Sequence, residues 1–336
     1  MNETATPPVV PKPSLLKRGG TVLKMAGVAL LILLLLLPLG MIASILRERL
    51  ERRNAAVEEI TGTWGRSQSV VGPVLIVPYR YSFKARREQP AANGKIERVE
   101  VLETAVANAC FLPATLAIDG AISPQRLQRG IYQAVVYRGD LEIVAEFARP
   151  DFTSLRIAET DVVWEDAVVT FAISDLRGVK ERLVLEWGAA KLALLPGSKL
   201  REFPGGLFAP VANLRELEQP VAAKLKLSLN GSRGVRFTPV GATTTVHLRS
   251  PWPDPSFQGA FLPAERTVTE TGFHARWDVS FYGRDYGQQW TDRNGAASRP
   301  LLDSFVRLVG DIAPTLLQLL GLEPPSEMTG KSLLKP

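Results

Sequence analysis

The chain has 336 residues, one cysteine, two histidines and a formal net charge of +6 at pH 7. A single cysteine excludes an internal disulfide and any metal site built from several cysteines. The excess of positive charge is compatible with nucleic-acid binding, but Lys and Arg are dispersed through strand-like segments and cluster only beside an apolar run near the N-terminus. Basic residues in that position typically contact anionic lipid headgroups, so we expect a lipid bilayer and no nucleic acid as partner.

The apolar run covers residues 25–46 and contains no charged side chain. A helix of this length would be about 33 Å long, enough to cross a hydrocarbon core of about 30 Å. A buried core helix is the weaker alternative at this length. A cleaved signal peptide would have an apolar region of about 7–15 residues before a small-x-small site, and Ala43-Ser44-Ile45 matches such a site poorly. The sequence therefore predicts an uncleaved transmembrane helix over 25–46, preceded by a disordered tail over 1–24.

The orientation of this helix does not follow from charge. Basic residues lie on both sides of the span, so the positive-inside rule gives no clear answer. The juxtamembrane basic residues after it are Arg47, Arg49, Arg52 and Arg53. Helical character continues to Ile60, and we expect Thr61-Gly62 to end the helix.

After this helix, apolar residues recur with a period of two. The expected core positions are Leu141, Ile143, Ala145 and Phe147, then Val169, Phe171 and Ile173, then Leu225, Leu227 and Leu229, and finally Phe273, Ala275, Trp277, Val279 and Phe281. Strands with one apolar and one polar face indicate antiparallel sheets with a solvated side. Asn230-Gly231 predicts a hairpin turn, with Val235 and Phe237 on the returning strand. The fold class is a single N-terminal transmembrane helix followed by a mainly antiparallel β domain over 47–290 and a short helical tail.

The C-terminal part differs in composition. Residues 291–310 are expected to form a junction, and the leucine-rich stretch 301–322 suggests an amphipathic helical pair. Within the tail over 311–336, Asp311 can cap a helix with Pro314 in its first turn and Gly321 at its end.

Catalytic or metal-binding motifs are absent from the sequence. His247 and His274 fall in strand patterns without metal-ligand spacing and are expected to be ordinary sheet-surface histidines. Asp161, Glu165 and Asp166 are expected to be solvated. We therefore predict no catalytic residues, no cofactor and no metal.

A proline-rich loop is the candidate interaction site. Dense prolines fix an irregular backbone, and the aromatic residues between them must pack somewhere. The loop either caps the core or recognises another envelope protein. Its candidate residues are Trp252, Pro253, Pro255 and Phe257.

Ordered sequence blocks between about residue 40 and Trp290 resemble the CreD family of inner-membrane, cell envelope integrity proteins of Gram-negative bacteria. The blocks include Trp64-Gly65, Gln68, residues 72–79, Phe111-Leu112-Pro113, Val136-Tyr137, residues 173–178, residues 229–232, Pro239-Val240-Gly241, residues 252–257 and residues 287–290. The resemblance implies a cytoplasmic N-terminus and a β-rich periplasmic domain in the inner membrane. It implies no established enzymatic activity, so no catalytic residues are carried over.

The chain departs from that family at its C-terminal end. Family members continue into several further spans, whereas residues 311–317 and 327–333 resemble the extreme C-terminus of cofactor-independent phosphoglycerate mutases, without that enzyme's metal-binding blocks. This suggests a truncated or fused reading frame. The leading functional hypothesis is an envelope protein whose β domain binds envelope components, with other envelope proteins as possible partners. The alternative is an inactive enzyme fragment, either mutase-like or an unrecognised periplasmic hydrolase. The sequence leaves the oligomeric state open.

Overall fold

The computed structural model describes residues 15–90, 96–179, 182–294 and 306–310. The chain divides into two compact units, Met1–Glu58 and Glu59–Pro336. Helix α1 (Leu15–Trp64) forms the described part of the first unit and ends in the second. Its apolar side chains between Met25 and Leu46 are exposed, and among the described residues α1 is the one helix long and apolar enough to cross a membrane. The predicted apolar helix is confirmed, although it ends at Trp64 and continues through the expected stop at Thr61-Gly62.

The second unit is built from strands, with short 3-10 turns between some of them. In chain order the strands are β1 (Gln68–Pro90), β2 (Ile96–Phe111), β3 (Thr115–Arg129), β4 (Tyr132–Phe147), β5 (Val168–Ile173), β6 (Val184–Trp187), β7 (Ala190–Ala193), β8 (Leu195–Pro196), β9 (Gly206–Pro210), β10 (Val221–Ser232), β11 (Gly234–Phe237), β12 (Thr243–Ser250), β13 (Pro255–Gly259), β14 (Glu265–Thr269), β15 (Gly272–Ser280), β16 (Gln289–Thr291) and β17 (Val306–Gly310). The 3-10 turns are Glu159–Asp161, Trp164–Asp166, Leu214–Glu216, Phe281–Gly283 and Asp292–Asn294.

These strands form two sheets. Sheet 1 has the order β13-β17-β11-β1-β5-β9-β8, with β2 paired to β1 and β16 paired to β2. Sheet 2 has the order β14-β15-β12-β3-β4-β10-β6-β7. The described pairs are antiparallel except β1 with β11 and β3 with β12. The prediction of a mainly antiparallel β domain is confirmed.

The core strands follow the alternation predicted from the sequence. In β4, Leu141 and Ile143 are buried while Glu142 is exposed, and in β10 Leu225 is buried opposite Ile143 while Lys226 is exposed opposite Glu142. Buried apolar side chains of both sheets form one continuous core. Burying an apolar side chain of this size stabilises the fold by about 1.5–3 kcal/mol, which is why the apolar faces turn inward.

The predicted hairpin at Asn230-Gly231 is wrong. Both residues lie inside β10, where Gly231 pairs with Tyr137. The chain then turns at Arg233, whose φ is 63°, and crosses from sheet 2 into β11 of sheet 1. Gly231 is small because the ring of Tyr137 occupies the space that its side chain would fill.

Phe281 is a second correction. Strand β15 ends at Ser280, and Phe281 begins a 3-10 turn that breaks the alternation. Its side chain is 42% exposed, whereas Phe273 and Trp277 on the same predicted face are buried. Phe281 is therefore not a core residue.

The expected helical pair over 301–322 is wrong at residues 306–310. These residues form β17, which lies between β11 and β13 in sheet 1. The disordered tail predicted over 1–24 is wrong at residues 15–24, which belong to α1. The rest of that tail, residues 1–14, and the predicted helical tail over 311–336 lie outside the described residues.

Candidate functional sites

Several of the sequence blocks that suggested a family meet in space where α1 ends. We call this group the junction cluster. It contains the last turn of α1, the start of β1, the segment after β5, the first half of β4 and the end of β10. Its members are Gly62, Trp64, Gly65, Arg66, Gln68, Tyr137, Ser174, Asp175, Arg177, Gly178 and Asn230.

An ion pair lies at the centre of the junction cluster. Arg177 donates to the Asp175 carboxylate from Nη2 to Oδ2 at 2.6 Å and from Nε to Oδ1 at 2.9 Å. The backbone amides of Arg66 and Arg177 donate to the same carboxylate. The second terminal nitrogen of Arg177, Nη1, donates to the carbonyl of Gly62 in the last turn of α1 at 2.6 Å. One arginine thus ties the helix end to the segment after β5.

The protonation state of Asp175 follows from these bonds. Its side chain is 7% exposed, and charge-assisted hydrogen bonds favour its ionised form. The hydrogen bonds from Arg177 are the largest cause that lowers the pKa of Asp175, to about 2. The carboxylate is therefore ionised at neutral pH, and the pair acts as a structural link rather than a proton donor.

Buried hydrogen bonds in the junction cluster also connect the two sheets. Gln68 of β1 is fully buried and donates from Nε2 to the carbonyls of Asp175, at 3.1 Å, and Asn230, at 2.6 Å. Tyr137 of β4 donates its hydroxyl to the carbonyl of Gly234 in β11 at 2.9 Å. Burial raises the pKa of Tyr137, so its hydroxyl remains a donor. These bonds satisfy polar groups that would otherwise be costly to bury.

The helix end is joined to sheet 2 by Trp64 and by close backbone packing. The indole nitrogen of Trp64 donates to the carbonyl of Tyr137 at 3.2 Å. Two positions are glycine because their backbone lies against Asn230. A Cβ at Gly65 would lie 2.5 Å from the carbonyl oxygen of Asn230, and a Cβ at Gly178 would lie 2.5 Å from the Cβ of Asn230. In the sequence, these residues were noticed only as separate blocks that resemble a family. Their order along the chain does not show that the blocks contact one another in the fold.

A second polar cluster, the Arg284 cluster, lies where the segment after β15 crosses the chain between β2 and β3 and the loop after β11. Arg284 is 7% exposed. Its Nη1 donates to the carbonyls of Pro239, at 3.3 Å, and Val240, at 2.9 Å, and its Nη2 donates to Gln288 at 2.6 Å. Gln288 in turn donates to the carbonyl of Pro113 at 2.5 Å. The side chains of Arg284 and Gln288 together hold three loops in contact.

Aromatic rings enclose the Arg284 guanidinium. The ring centroids of Tyr286 and Phe281 lie 4.9 and 5.2 Å from its central carbon. Burial lowers the pKa of Arg284 and raises that of Tyr286 to about 12, so Tyr286 donates to Pro239 as a neutral hydroxyl. Sequence reasoning identified the neighbouring blocks and missed Arg284 itself, since an isolated arginine gives no pattern.

The proline-rich loop lies against the core. Phe257 makes edge-on contacts with Phe273, at a centroid distance of 5.6 Å, and with Trp277, at 5.5 Å. Trp252 is half-buried and donates its indole nitrogen to the carbonyl of Asp254 at 2.7 Å. Pro253 and Pro255 are also half-buried, and Pro255 begins β13. The structure therefore places the four candidate residues together, with their aromatic side chains partly committed to the core.

The juxtamembrane arginines belong to the first unit. Arg47, Arg49 and Arg52 are exposed and Arg53 is half-buried. Arg52 pairs with Glu48 at 2.5 Å across one helical turn. An exposed pair of this kind stabilises a helix by about 0.3–0.5 kcal/mol, so these side chains remain accessible to a charged surface.

In the described part of the chain, the histidines, the acidic residues noted in the sequence and the cysteine do not form a catalytic site together. His247 and His274 lie on the exposed face of sheet 2, as expected for sheet-surface histidines, and Asp161, Glu165 and Asp166 are exposed. Cys110 is buried, and burial raises the pKa of its thiol. Across residues 24–88, 99–179 and 182–293, no group of three or more His, Cys, Asp or Glu side chains is placed to hold a metal ion.

One candidate membrane-spanning helix followed by a two-sheet β domain defines the class of this protein. A model of the family described as "Inner membrane protein CreD" matches residues 20–310, and the chain belongs to that family. The Inner membrane protein CreD of Escherichia coli (strain K12) is 26% identical over 271 residues, which cover 81% of this chain and 58% of that protein. The chain thus spans less than two thirds of the length of this relative.

The likeness to two solved structures of a peptidase is distant. Two crystal structures of an M1 zinc metallopeptidase from Deinococcus radiodurans cover 60% of this chain and 42% of their own, with 10% identity and TM-scores of 0.28 and 0.27. Scores this low carry no conclusion about fold or activity. The resemblance of the tail to phosphoglycerate mutase is not supported by any of these comparisons, and the family match ends at residue 310.

Proposed function

We propose that this chain is anchored in the bacterial inner membrane by α1, with its N-terminus in the cytoplasm, and that its periplasmic β domain contributes to cell envelope integrity by binding other envelope components. The observation that carries this proposal is the location of the family's sequence blocks. Many of them lie in the junction cluster and the Arg284 cluster, where they join elements of the fold. Because the residues that characterise the family hold the β domain together, we expect the domain to act by binding partners at its surface.

The anchoring part of the proposal is supported by α1. Its exposed apolar stretch has the length and composition of a membrane span. Arg47, Arg49 and Arg52 follow it directly and are exposed, which suits contact with anionic headgroups.

The binding part of the proposal concerns the loop with Trp252, Pro253, Pro255 and Phe257. Tryptophan and other aromatic residues are enriched at the centres of protein interfaces. The loop is rigid because of its prolines, so little conformational entropy would be lost when a partner binds. Trp252 and Phe257 remain partly accessible although they contact the core.

Orientation is tested with a reporter fused after Gly310, the last described residue. Alkaline phosphatase, which is active only in the periplasm, should be active in this fusion. A reporter that works only in the cytoplasm should be inactive at the same position. The reverse pattern would refute the periplasmic placement.

Partner binding is tested by crosslinking in intact cells. A photoreactive amino acid at position 252 should give crosslinked adducts with envelope proteins that are absent when it is placed at position 191 on β7, at the far edge of sheet 2. The same adducts at both positions, or none at position 252, would remove the loop from the proposal.

The competing proposal is an enzyme fragment, and the described residues favour a non-enzymatic role. They offer no metal-binding group, and their two histidines are not arranged with a nucleophile. Metal analysis of the purified full chain, combined with a generic phosphatase assay and a mutase assay with added divalent metals, should show neither bound metal nor turnover. Turnover above a heat-inactivated control would support the hypothesis that the chain is an enzyme fragment.

A further inference from the structure

The two histidines of the chain, distant from each other in sequence, meet on the exposed face of sheet 2. His247 on β12 lies opposite Arg276 on β15, and Arg249 on β12 lies opposite His274 on β15. The two imidazoles are therefore diagonal neighbours on adjacent strands, a relation that long side chains can span. Neither imidazole has a hydrogen-bond or ion-pair partner among the described residues.

Both histidines line one shallow pocket of about 310 Å³. Its charged lining consists of Arg249, Arg266 and Arg276 together with Asp119 and Glu265, so its formal charge is +1 with neutral imidazoles and +3 with both protonated. Protonation thus triples the formal charge of this small surface.

The arginines determine what kind of ligand suits the pocket. Arg249 pairs with Asp119 at 2.6 Å, and Arg276 lies 3.9 Å from Glu265 and 3.0 Å from Asp278. These carboxylates are already occupied by guanidinium groups, which disfavours a metal cation.

Arg266, in contrast, has no ion-pair partner among the described residues and is exposed. Guanidinium and protonated imidazole groups are the donors that phosphate groups prefer.

Further charged and polar residues lie on the strands beside the two histidines. On one side, Glu142 of β4 lies opposite Asp119 of β3, and Lys226 of β10 lies opposite Glu142. On the other side, the edge strand β14 brings Thr267 opposite His274. Thr267, Arg249 and His274 also line an adjoining pocket of about 350 Å³ that contains the hydroxyl-bearing residues Thr269 and Thr271. A phosphate group at the imidazoles would therefore have hydroxyl groups beside it.

We propose that this pocket, lined by His247, His274, Arg249, Arg266 and Arg276, binds phosphate groups and that its affinity rises when the histidines are protonated. Histidine is the side chain that changes charge between about pH 5 and 8, so affinity increases on mild acidification. The phosphate can belong to a free anion or to a lipid headgroup. This site is separate from the Trp252 loop, and its test does not depend on the orientation of the chain in the membrane.

The first measurement uses the full chain in an uncharged detergent, purified with a tag that lacks histidine. Histidine-selective isotope labelling then gives two NMR signals, one for each imidazole. Inorganic phosphate should shift both signals at about pH 5.5, and its dissociation constant should be severalfold larger at about pH 7.5, because the loss of two imidazolium charges outweighs the second negative charge that phosphate gains. An absence of shifts at the lower pH would overturn the proposal.

The second measurement compares variants by equilibrium binding of radiolabelled phosphate. H247Q/H274Q should lose the increase in binding at about pH 5.5, whereas Lys226→Gln, on the same face three strands away from β12, should bind like the unmodified chain. Equal pH dependence in the double-histidine variant would refute the role of the imidazoles. A shift of the histidine signals by Zn²⁺ at about pH 7.5, without a response to phosphate at either pH, would show a metal site in place of the proposed one.

A third measurement separates the two sources of phosphate. The full chain, reconstituted in nanodiscs of phosphatidylcholine, is mixed with vesicles that contain or lack phosphatidylglycerol. Acid-dependent binding to phosphatidylglycerol vesicles that is lost in H247Q/H274Q identifies a lipid headgroup. Binding of inorganic phosphate without such vesicle binding identifies a soluble phosphate compound.

Discussion

Asp175 and Arg177 form an ion pair of 2.6 Å although one residue separates them, and Arg177 simultaneously binds the carbonyl of Gly62. The pair joins the end of α1 to the segment that follows β5. The two partners differ in exposure, with side-chain values of 7% for Asp175 and 54% for Arg177. The carboxylate is thus the buried member, and its loss leaves backbone amides and a guanidinium without their acceptor.

Replacing Asp175 by Asn should destabilise the β domain by on the order of 1–3 kcal/mol at neutral pH, because the ionised acceptor of several donors is removed. Chemical unfolding of the full chain in detergent, followed by tryptophan fluorescence, measures this difference. Glu159→Gln is the matched control, since Glu159 forms an exposed pair with Arg149 at 2.7 Å and such pairs contribute about 0–1 kcal/mol. Equal effects of the two variants would contradict the structural role of Asp175.

The same pair predicts the pH dependence of stability. The folded pKa of Asp175 is lowered to about 2, whereas an unfolded Asp titrates near 3.9. Its contribution is therefore fully present above about pH 4 and is lost as the pH falls toward about 2. Unfolding curves of the unmodified chain should show this loss, and those of Asp175→Asn should lack it. A constant difference between the two proteins across this range would contradict the assignment.

Phe273 and Phe281 provide a matched pair of core and surface phenylalanines. Phe273 is 2% exposed and Phe281 is 42% exposed. Phe273→Ala should cost about 3–5 kcal/mol because it opens a cavity in the core, whereas Phe281→Ala should cost under about 1 kcal/mol. Denaturant unfolding of both variants measures the two losses in the free energy of unfolding. A larger loss for Phe281→Ala would show that the alternation continues past Ser280.

The sequence predicted those strands that have one buried face and one solvent-exposed face. In β4 and β10 every second residue is apolar because one face is buried and the other is solvated, so burial can be read from the pattern alone. The pattern failed at Phe281, where a 3-10 turn replaces the strand. It also failed at Gly231, which is a glycine because of the Tyr137 ring and not because of a turn.

The candidate sites were harder to predict because they depend on strand order. His247 and His274 meet only because β12 pairs with β15 in one particular register. Arg284 reaches Pro239, and Gln288 reaches Pro113, only after three loops converge. Local sequence contains neither relation, since each is set by tertiary pairing of segments that are distant along the chain.

Strand β17 predicts different effects for two C-terminal deletions. Removal of 301–336 takes away a strand that lies between β11 and β13 in sheet 1 and exposes the edges of both. Removal of 311–336 leaves that strand in place. The longer deletion should lower the thermal midpoint of the full chain in detergent by several degrees more than the shorter one. Equal midpoints would show that β17 contributes nothing to the stability of sheet 1.

Arg284 should resist even replacement by lysine. Its planar group donates from one terminal nitrogen to the carbonyls of Pro239 and Val240 and from the other to Gln288, and it contacts two aromatic rings. A lysine ammonium is a single point charge and cannot reproduce this fork or stack in the same way. Arg284→Lys should therefore leave buried carbonyls without donors, at about 1–3 kcal/mol for each unsatisfied group.

Denaturant unfolding of Arg284→Lys should be compared with that of Arg86→Lys. Arg86 has a side chain that is 77% exposed and lies 3.9 Å from Glu100, so its replacement should change stability by less than about 0.5 kcal/mol. The arginine-to-lysine change is chemically identical at the two positions, and only the surroundings differ. If Arg284→Lys were as stable as Arg86→Lys, a point charge would suffice at position 284, and the three loops would be held by packing and not by the guanidinium hydrogen bonds.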